Sequence, residues 1–106
     1  MPKQVPSTNQ PKFDAGTVYL TAGAQSALER IASGTEIVIQ LLARHTAGDW
    51  GEIDASDRAT NDRAVKDGSM ILSSYRLPDQ SVVWIISDPT DGAGKRVTTV
   101  LLPEEY

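Results

Sequence analysis

The 106 residues of the chain suffice for one domain, and a second hydrophobic core is not expected at this size. The chain has no cysteine and one histidine, which excludes disulfide scaffolds, thiol catalysis and iron–sulfur clusters and leaves a zinc site without its usual ligands. A net charge of −4 opposes a broad nucleic-acid-binding surface, because affinity for phosphate comes from clustered lysine and arginine.

The first 14 residues differ in composition from the rest of the chain. They contain three prolines and several polar residues, and only Val5 and Phe13 offer an apolar side chain for anchoring by burial. We predict a flexible arm over residues 1–14 and a single domain over residues 15–106. The arm lacks the apolar segment of a secretory signal, and no stretch approaches the ~20 apolar residues of a membrane span. We therefore expect a cytoplasmic protein without membrane association.

Three helices are predicted after a short strand at Thr17–Leu20. Thr21 can cap the first helix, over Ala24–Ala32. Thr35 can cap the second, which ends near Ala47-Gly48. The third is mostly polar, starts at a cap formed by Asp54 or Ser56 and ends at Asp67 before Gly68. The second helix is favoured by apolar side chains that share one side with the histidine: Ile37, Val38, Leu41, Leu42 and His45.

The last third of the chain predicts a three-stranded antiparallel meander, over Met70–Leu77, Val82–Ser87 and Arg96–Leu102. Val82–Ile86 is continuously apolar, as expected of a central strand that is covered on both faces. Arg96–Leu102 would then form an edge of the sheet. The predicted fold class is α+β: a short N-terminal strand, two to three helices, and a meander packed against the helices.

Six short motifs follow one another along the chain. They are Leu42-Ala43-Arg44-His45, Gly48-Asp49-Trp50-Gly51, Asn61-Asp62, Leu72-Ser73-Ser74-Tyr75, Trp84-Ile85-Ile86 and Thr98-Thr99-Val100-Leu101-Leu102-Pro103-Glu104-Glu105-Tyr106. In this combination the chain resembles a family of small bacterial proteins found on plasmids and other mobile elements. Members are sometimes labelled plasmid-related proteins or restriction-endonuclease subunits. The resemblance covers roughly Gly16 to Tyr106 and implies a setting in host defence or plasmid maintenance.

One segment departs from that family. Its members carry a short acidic and arginine-containing turn before the last strand, where this chain has Asp88–Lys95. With two aspartates and two glycines, this segment is typical of a long hairpin loop, and a loop that cups a cation or a phosphate is the alternative.

The motif residues supply the candidate binding site. Trp50 would be its anchor, because large aromatic side chains dominate the energy of many interfaces. Alternatively, Gly48–Gly51 is a tight corner in which Asp49 bonds nearby amides and Trp50 covers the core. The candidate binding residues are Arg44, His45, Asp49, Trp50, Asn61, Asp62 and Tyr75.

The lone histidine is the candidate for acid–base chemistry. His45 titrates near neutral pH, and Asp49 is close enough in sequence to orient it. The alternative is a packed histidine that continues the apolar side of its helix. Hydroxyl side chains on the predicted strands could line a concave sheet face with it, or could be ordinary strand residues. These are Ser73, Tyr75, Thr98 and Thr99.

No metal site or other cofactor is expected. Carboxylate and amide oxygens lie near the start of the third helix, but their spacing lacks the alternation and the terminal glutamate of an EF-hand loop. These residues are Asp54, Asp57, Asn61 and Asp62.

Two functions from different classes fit these patterns. The first is a non-catalytic accessory protein of a mobile element that binds a host or element-encoded protein and inhibits a defence or nucleic-acid-processing complex. Direct nucleic-acid binding is not expected. The second is a small metal-independent ribonuclease or toxin of barnase-like or RelE-like plan, by analogy of fold. Its chemistry would require four side chains to converge: His45, Glu52, Arg76 and Arg96.

Overall fold

Three helices form one layer of the domain, and local capping fixes two of their starts. A computed structural model describes residues 10–106. Helix α1 spans Ala22–Glu29, and the Thr21 hydroxyl accepts a 3.0 Å hydrogen bond from the Ala24 amide. Helix α3 spans Ala55–Asp67, and the Asp54 carboxylate accepts a 2.8 Å bond from the Asp57 amide. The predicted caps at Thr21 and Asp54 are therefore confirmed.

Helix α2 spans Gly34–Thr46 and begins differently from the prediction. Thr35 is not its cap. Ser33 holds that position with a left-handed φ of 66° and no side-chain capping bond. The reason is a close approach of α1 and α2: a β-carbon at Gly34 would overlap the carbonyl of Leu28. The first helix also ends earlier than predicted, at Glu29, since the chain must turn into this corner.

Four strands form the second layer: β1 (Thr17–Leu20), β2 (Ile71–Arg76), β3 (Val82–Ser87) and β4 (Val97–Leu101). Strands β2, β3 and β4 pair as the predicted antiparallel meander, so the α+β fold class is confirmed. Strand β1 pairs in parallel with β4, which gives a mixed sheet of order β1-β4-β3-β2. β4 is therefore internal, and the prediction that Arg96–Leu102 forms an edge is wrong.

The two faces of the sheet differ. Helices α1 and α2 pack on the face that carries Tyr75, Val83, Ile85 and Val100, which together form the main core cluster. A second cluster forms around Trp50, Ala64 and Ile71 beside α3. The opposite face of β3 carries Trp84 and Ile86, which belong to neither cluster. β3 is central as predicted, but the helix layer covers it on one face.

Both ends of the described chain are attached to this frame. A short 3₁₀ helix, Pro103–Glu105, follows β4, and the Glu105 carboxylate accepts bonds from the Thr21 hydroxyl and the Gly23 amide. Near the other end, the Lys12 amide donates a 2.7 Å bond to the Thr46 carbonyl, and Phe13 packs against the second cluster. The predicted flexible arm therefore holds contacts at Lys12 and Phe13. Residues 1–9 of it lie outside the described residues.

Candidate functional site

His45 lies in the interior of the domain rather than in a cleft. Its side chain has no exposed surface. Nδ1 lies 2.6 Å from the Ser73 hydroxyl, and Nε2 lies 2.9 Å from the Ser87 hydroxyl. The ring also makes edge contacts with Phe13 and Trp50, at centroid distances of 5.3 and 6.0 Å. Both ring nitrogens are thus satisfied by strand hydroxyls on β2 and β3.

The direction of each bond around His45 follows from the chain of hydroxyls. Thr98 donates its only hydroxyl proton to the Ala15 carbonyl at 2.7 Å. Thr98 must then accept from Ser87, at 2.7 Å, so Ser87 in turn accepts from the imidazole. Nε2 of His45 therefore carries the proton, and Nδ1 accepts from Ser73. The neutral imidazole fits this network without an unused donor or acceptor.

Burial is the main cause that lowers the pKa of His45 to about 3, and the positive charge of Arg96 is the second. A general base must accept a proton near the operating pH and reach substrate. His45 meets neither condition in this geometry. The geometry supports the packed histidine, with both ring nitrogens bonded to hydroxyl groups.

The other three candidate catalytic residues do not gather around His45. The Arg76 guanidinium pairs with the Glu52 carboxylate at 2.9 Å on the surface. The Arg96 guanidinium is buried and donates to three backbone carbonyls, of Ala64, Ser69 and Asp88, at 2.8 to 3.1 Å. Arg96 thereby satisfies the C-terminal end of α3, where a positive charge is favourable. No exposed group of base, acid and free cation forms from these four residues.

The Gly48–Gly51 corner is held by its neighbours. The Asp49 carboxylate accepts two bonds from Arg44, at 2.7 and 3.2 Å, and this pairing holds the pKa of Asp49 below its usual value. The Arg44 guanidinium lies 4.7 Å from the centroid of the Tyr75 ring, whose hydroxyl donates to the Asp49 carbonyl at 2.6 Å. Arg44, Asp49 and Tyr75 therefore tie the end of α2 to β2.

The remaining candidate binding residues close the outer edge of β2. Trp50 is 3% exposed, and its indole N–H donates to Asp62 at 3.1 Å. The Asn61 side chain donates to the Leu72 carbonyl at 2.7 Å and accepts from the Leu72 amide at 3.2 Å. Next along the edge, the Ser74 backbone bonds to the backbone at residues 50 and 52. Trp50 is too deeply buried here to reach a partner.

The hydroxyl residues of the strands divide between the two faces. Ser73, Tyr75 and Thr98 lie on the helix-covered face and are buried, whereas Thr99 pairs with Ile86 on the opposite face. They do not line an open concave surface with His45. Ser73, Tyr75 and Thr98 are core residues, and Ser73 and Thr98 also belong to the histidine network.

The Asp88–Lys95 segment is organised by its own aspartate. The Asp91 carboxylate accepts bonds from the Ala93 and Lys95 amides, at 2.8 and 2.9 Å. This arrangement supports the hairpin-loop interpretation. Over residues 10–106, no three His, Asp or Glu side chains come together as ligands of a metal ion. In the same part of the chain, no helix has the length and apolarity required to cross a bilayer.

The open features lie at β1, on the other edge of the sheet. The Thr21 amide donates to the Val100 carbonyl. The backbone amides and carbonyls of successive strand residues point in alternate directions. Those of Tyr19 therefore also point toward β4, while those of Val18 and Leu20 point outward. Within residues 10–106, no backbone group pairs with this outward edge.

Comparison with known proteins identifies no relative: no family model, no curated protein and no solved structure matches the chain.

A groove borders the open edge on the helix side. It has a volume of about 470 Å³ and lies between α1, the start of α2 and the end of β1. Its apolar lining comes from Leu20, Leu28, Ile31 and Val38, and Glu29 is the acidic residue on its rim. Sequence reasoning missed this site. The available signal was the run Thr17–Leu20, which contains no charged residue and no proline, the residue types that usually protect an edge strand.

Proposed function

We propose that the protein is a non-catalytic binding domain that recognises another protein through the β1 edge of its sheet. The observation that carries this proposal is the difference between the two edges. Asn61 and residues 50–52 close the β2 edge, whereas β1 presents backbone that no described residue pairs, beside a groove with both apolar and polar lining. An open, uncharged edge strand is a template for pairing with another chain.

The side chains around β1 support the same proposal. Tyr19 is 58% exposed, and Leu20 and Val97 are each 39% exposed. Leu20 lies on the helix-covered face and Tyr19 and Val97 lie on the opposite face, so this edge carries exposed apolar side chains on both faces of the sheet. Large exposed aromatic and aliphatic side chains grouped in one place are typical of interaction surfaces.

The ribonuclease alternative gains no support from the geometry. Its candidate base is enclosed and neutral, and its three other side chains already serve ion pairing or helix capping. A role without catalysis accounts for all four residues.

The resemblance to mobile-element proteins supports a more specific form of the proposal. In that form the domain is an accessory protein of a mobile element and occupies a host defence or nucleic-acid-processing complex. The net charge of −4 favours a basic surface on that complex. We expect binding to weaken as the salt concentration is raised from about 0.05 M to about 0.5 M, because the Debye length shortens over this range.

A capture experiment from host lysate tests the proposal. The tagged wild type is compared with Leu20→Pro, which removes an outward amide at the open edge without removing a bond to β4. Ile39→Ser is the matched control, since Ile39 is an exposed apolar residue on α2 (60% exposed) and does not line the groove. Circular dichroism verifies that both variants are folded.

We expect a stoichiometric partner that is retained by Ile39→Ser and lost by Leu20→Pro. Equal retention by both variants would place the interface elsewhere. Turnover of RNA by the purified wild type, proportional to protein concentration and unaffected by Leu20→Pro, would overturn the non-catalytic assignment.

A further inference from the structure

The open edge of β1 and the groove beside it share one residue, and this juxtaposition identifies the kind of partner that fits. Leu20 directs its backbone outward from the sheet and lines the groove with its side chain. A strand added to β1 would lie about 4.8 Å away and would point every second side chain toward the helix layer. Those side chains would meet the groove.

We infer that the partner contributes an extended segment that pairs with β1 as a fifth strand, with apolar side chains at alternate positions entering the groove. This inference rests on the proposed function and specifies its ligand. Main-chain bonds to Val18 and Leu20 supply affinity, and the groove selects the side chains, as in other modes of strand addition.

The groove also selects charge. Glu29 is the acidic residue among the side chains that line it, and Gln25 donates a 3.2 Å hydrogen bond to its carboxylate. The neighbouring cation, Arg30, acts on a different carboxylate. Its charge helps to lower the pKa of Asp79, although hydrogen bonds from Ser81 are the larger cause. A lysine or arginine on the incoming segment therefore has Glu29 as its partner.

A second copy of this chain fits less well. Antiparallel pairing of β1 with its own copy would bring in the sequence Thr17–Leu20, which has no basic residue for Glu29. Each copy also carries a net charge of −4. Like charges on the two copies oppose their association, whereas a basic segment from another protein is attracted.

The test uses the full-length ¹⁵N-labelled protein and a defined probe. The probe is a fluorescein-labelled peptide of eight residues in which valine alternates with threonine and lysine. Its control is the same peptide with N-methyl groups on every second amide, which removes the donors that strand pairing requires. Fluorescence anisotropy measures affinity, and amide hydrogen exchange locates the contact.

We expect the free protein to exchange the Val18 and Leu20 amides quickly and those of Tyr19 and Thr21 slowly. The peptide should slow exchange at Val18 and Leu20, and the N-methylated peptide should bind at least about tenfold more weakly, since it forfeits several hydrogen bonds. Glu29→Gln should weaken binding of the lysine-containing peptide by about two- to fivefold, as for an exposed ion pair. Glu36→Gln, an acidic residue of α2 that does not line the groove, is the control.

Several results would overturn the inference. Slow exchange at Val18 and Leu20 in the peptide-free protein, together with a dimer in sedimentation, would assign the edge to a second copy. Absence of peptide binding, or protection only at other residues, would exclude strand addition. Neither result would remove the proposed function if the captured partner were still lost by Leu20→Pro.

Discussion

The proton on His45 is fixed by hydroxyl groups rather than by a carboxylate. Because Thr98 donates to the Ala15 carbonyl, Ser87 must donate to Thr98 and therefore accepts from Nε2 of His45. The resulting neutral ring is enclosed by Phe13 and Trp50. Protonation would replace an accepting nitrogen by a second donor opposite Ser73 and would place a charge in a site without solvent.

His45 predicts a specific pH dependence of stability. Its folded pKa is about 3, below the unfolded value of about 6.5. The unfolded state therefore binds the proton first as pH falls, so stability is complete above pH 6.5 and decreases below it. Between pH 8 and 5 the free energy of unfolding should fall by about 2 kcal/mol, as measured by urea denaturation. Carboxylates with a lowered pKa, such as Asp49, stabilise the fold above about pH 4, and their contribution is lost only as the pH falls below that value.

The histidine can also be observed directly. It is the single histidine of the chain, so its imidazole proton resonances need no assignment by mutagenesis. We expect no titration of these resonances in the folded protein between pH 8 and about pH 4. A midpoint near 6.5 under native conditions would contradict the buried neutral ring.

Gly51 is a position at which the backbone geometry leaves no room for a side chain. It has a φ of 75°, and a β-carbon would overlap the Ser74 carbonyl, to which the Glu52 amide bonds at 2.7 Å. We expect Gly51→Ala to lower the free energy of unfolding by roughly 2–5 kcal/mol, from left-handed strain and steric overlap. Gly92→Ala is the control, because a β-carbon there would meet nothing within 4 Å. In urea denaturation, Gly92→Ala should change the free energy of unfolding by no more than about 0.5 kcal/mol. Equal effects of the two substitutions would contradict the steric explanation.

The roles of single residues were only partly predictable from the sequence. The corner at Gly48–Gly51 follows from its composition, because two glycines around Asp49 and Trp50 favour a tight turn. The partners of His45 do not follow, since Ser73 and Ser87 lie 28 and 42 residues away and meet it only when the sheet forms. The buried role of Arg96 depends equally on distant carbonyls.

At the scale of elements, the two edges of the sheet are treated differently. Helix α3 lies along β2, and Asn61 supplies to Leu72 the donor and acceptor that another strand would supply. The opposite edge at β1 has no such cover within the described residues. The polar helix α3, with few apolar residues to bury, thus has a definite structural task in closing an edge.

Asn61→Ala tests this closure. Asn61 is 4% exposed, and its loss would leave the amide and carbonyl of Leu72 without their bonds. We expect a loss of roughly 2–3 kcal/mol in the free energy of unfolding, faster exchange of the Leu72 amide and a greater tendency to aggregate. Thr60→Ala, one residue earlier on the exposed side of α3, should change stability by no more than about 0.5 kcal/mol. A stable Asn61→Ala with an unchanged Leu72 exchange rate would show that this edge needs no cover.

Element types were predictable where their signals are local. Thr21 and Asp54 cap helices because their hydroxyl and carboxylate reach amides within three residues. The meander follows from apolar runs separated by turn residues. The parallel pairing of β1 with β4 was not predictable, because Thr17 and Val97 are separated by most of the chain. That pairing places β1 at an edge, so the uncharged run Thr17–Leu20 was a signal whose position in the sheet the sequence did not give.

For the whole molecule, the question is whether the two core clusters unfold together. The main cluster lies under α1 and α2, and the second lies around Trp50 beside α3. His45 connects the two clusters. It belongs to α2, as Leu41 of the main cluster does, and its ring centroid lies 6.0 Å from that of Trp50. Tyr75 of the main cluster also bonds to the backbone of Asp49, next to Trp50.

These connections predict a single cooperative transition. The chain has two tryptophans, and Trp84→Phe leaves Trp50 as the sole indole reporter, placed in the second cluster. Far-UV circular dichroism reports the helices and the sheet together. We expect urea midpoints from Trp50 fluorescence and circular dichroism to coincide, with an m-value of about 1–2 kcal/mol per molar urea. An earlier fluorescence transition would mean that α3 and the Gly48–Gly51 corner separate from the sheet before the main cluster unfolds, and the β2 edge would then be open in a partly folded state.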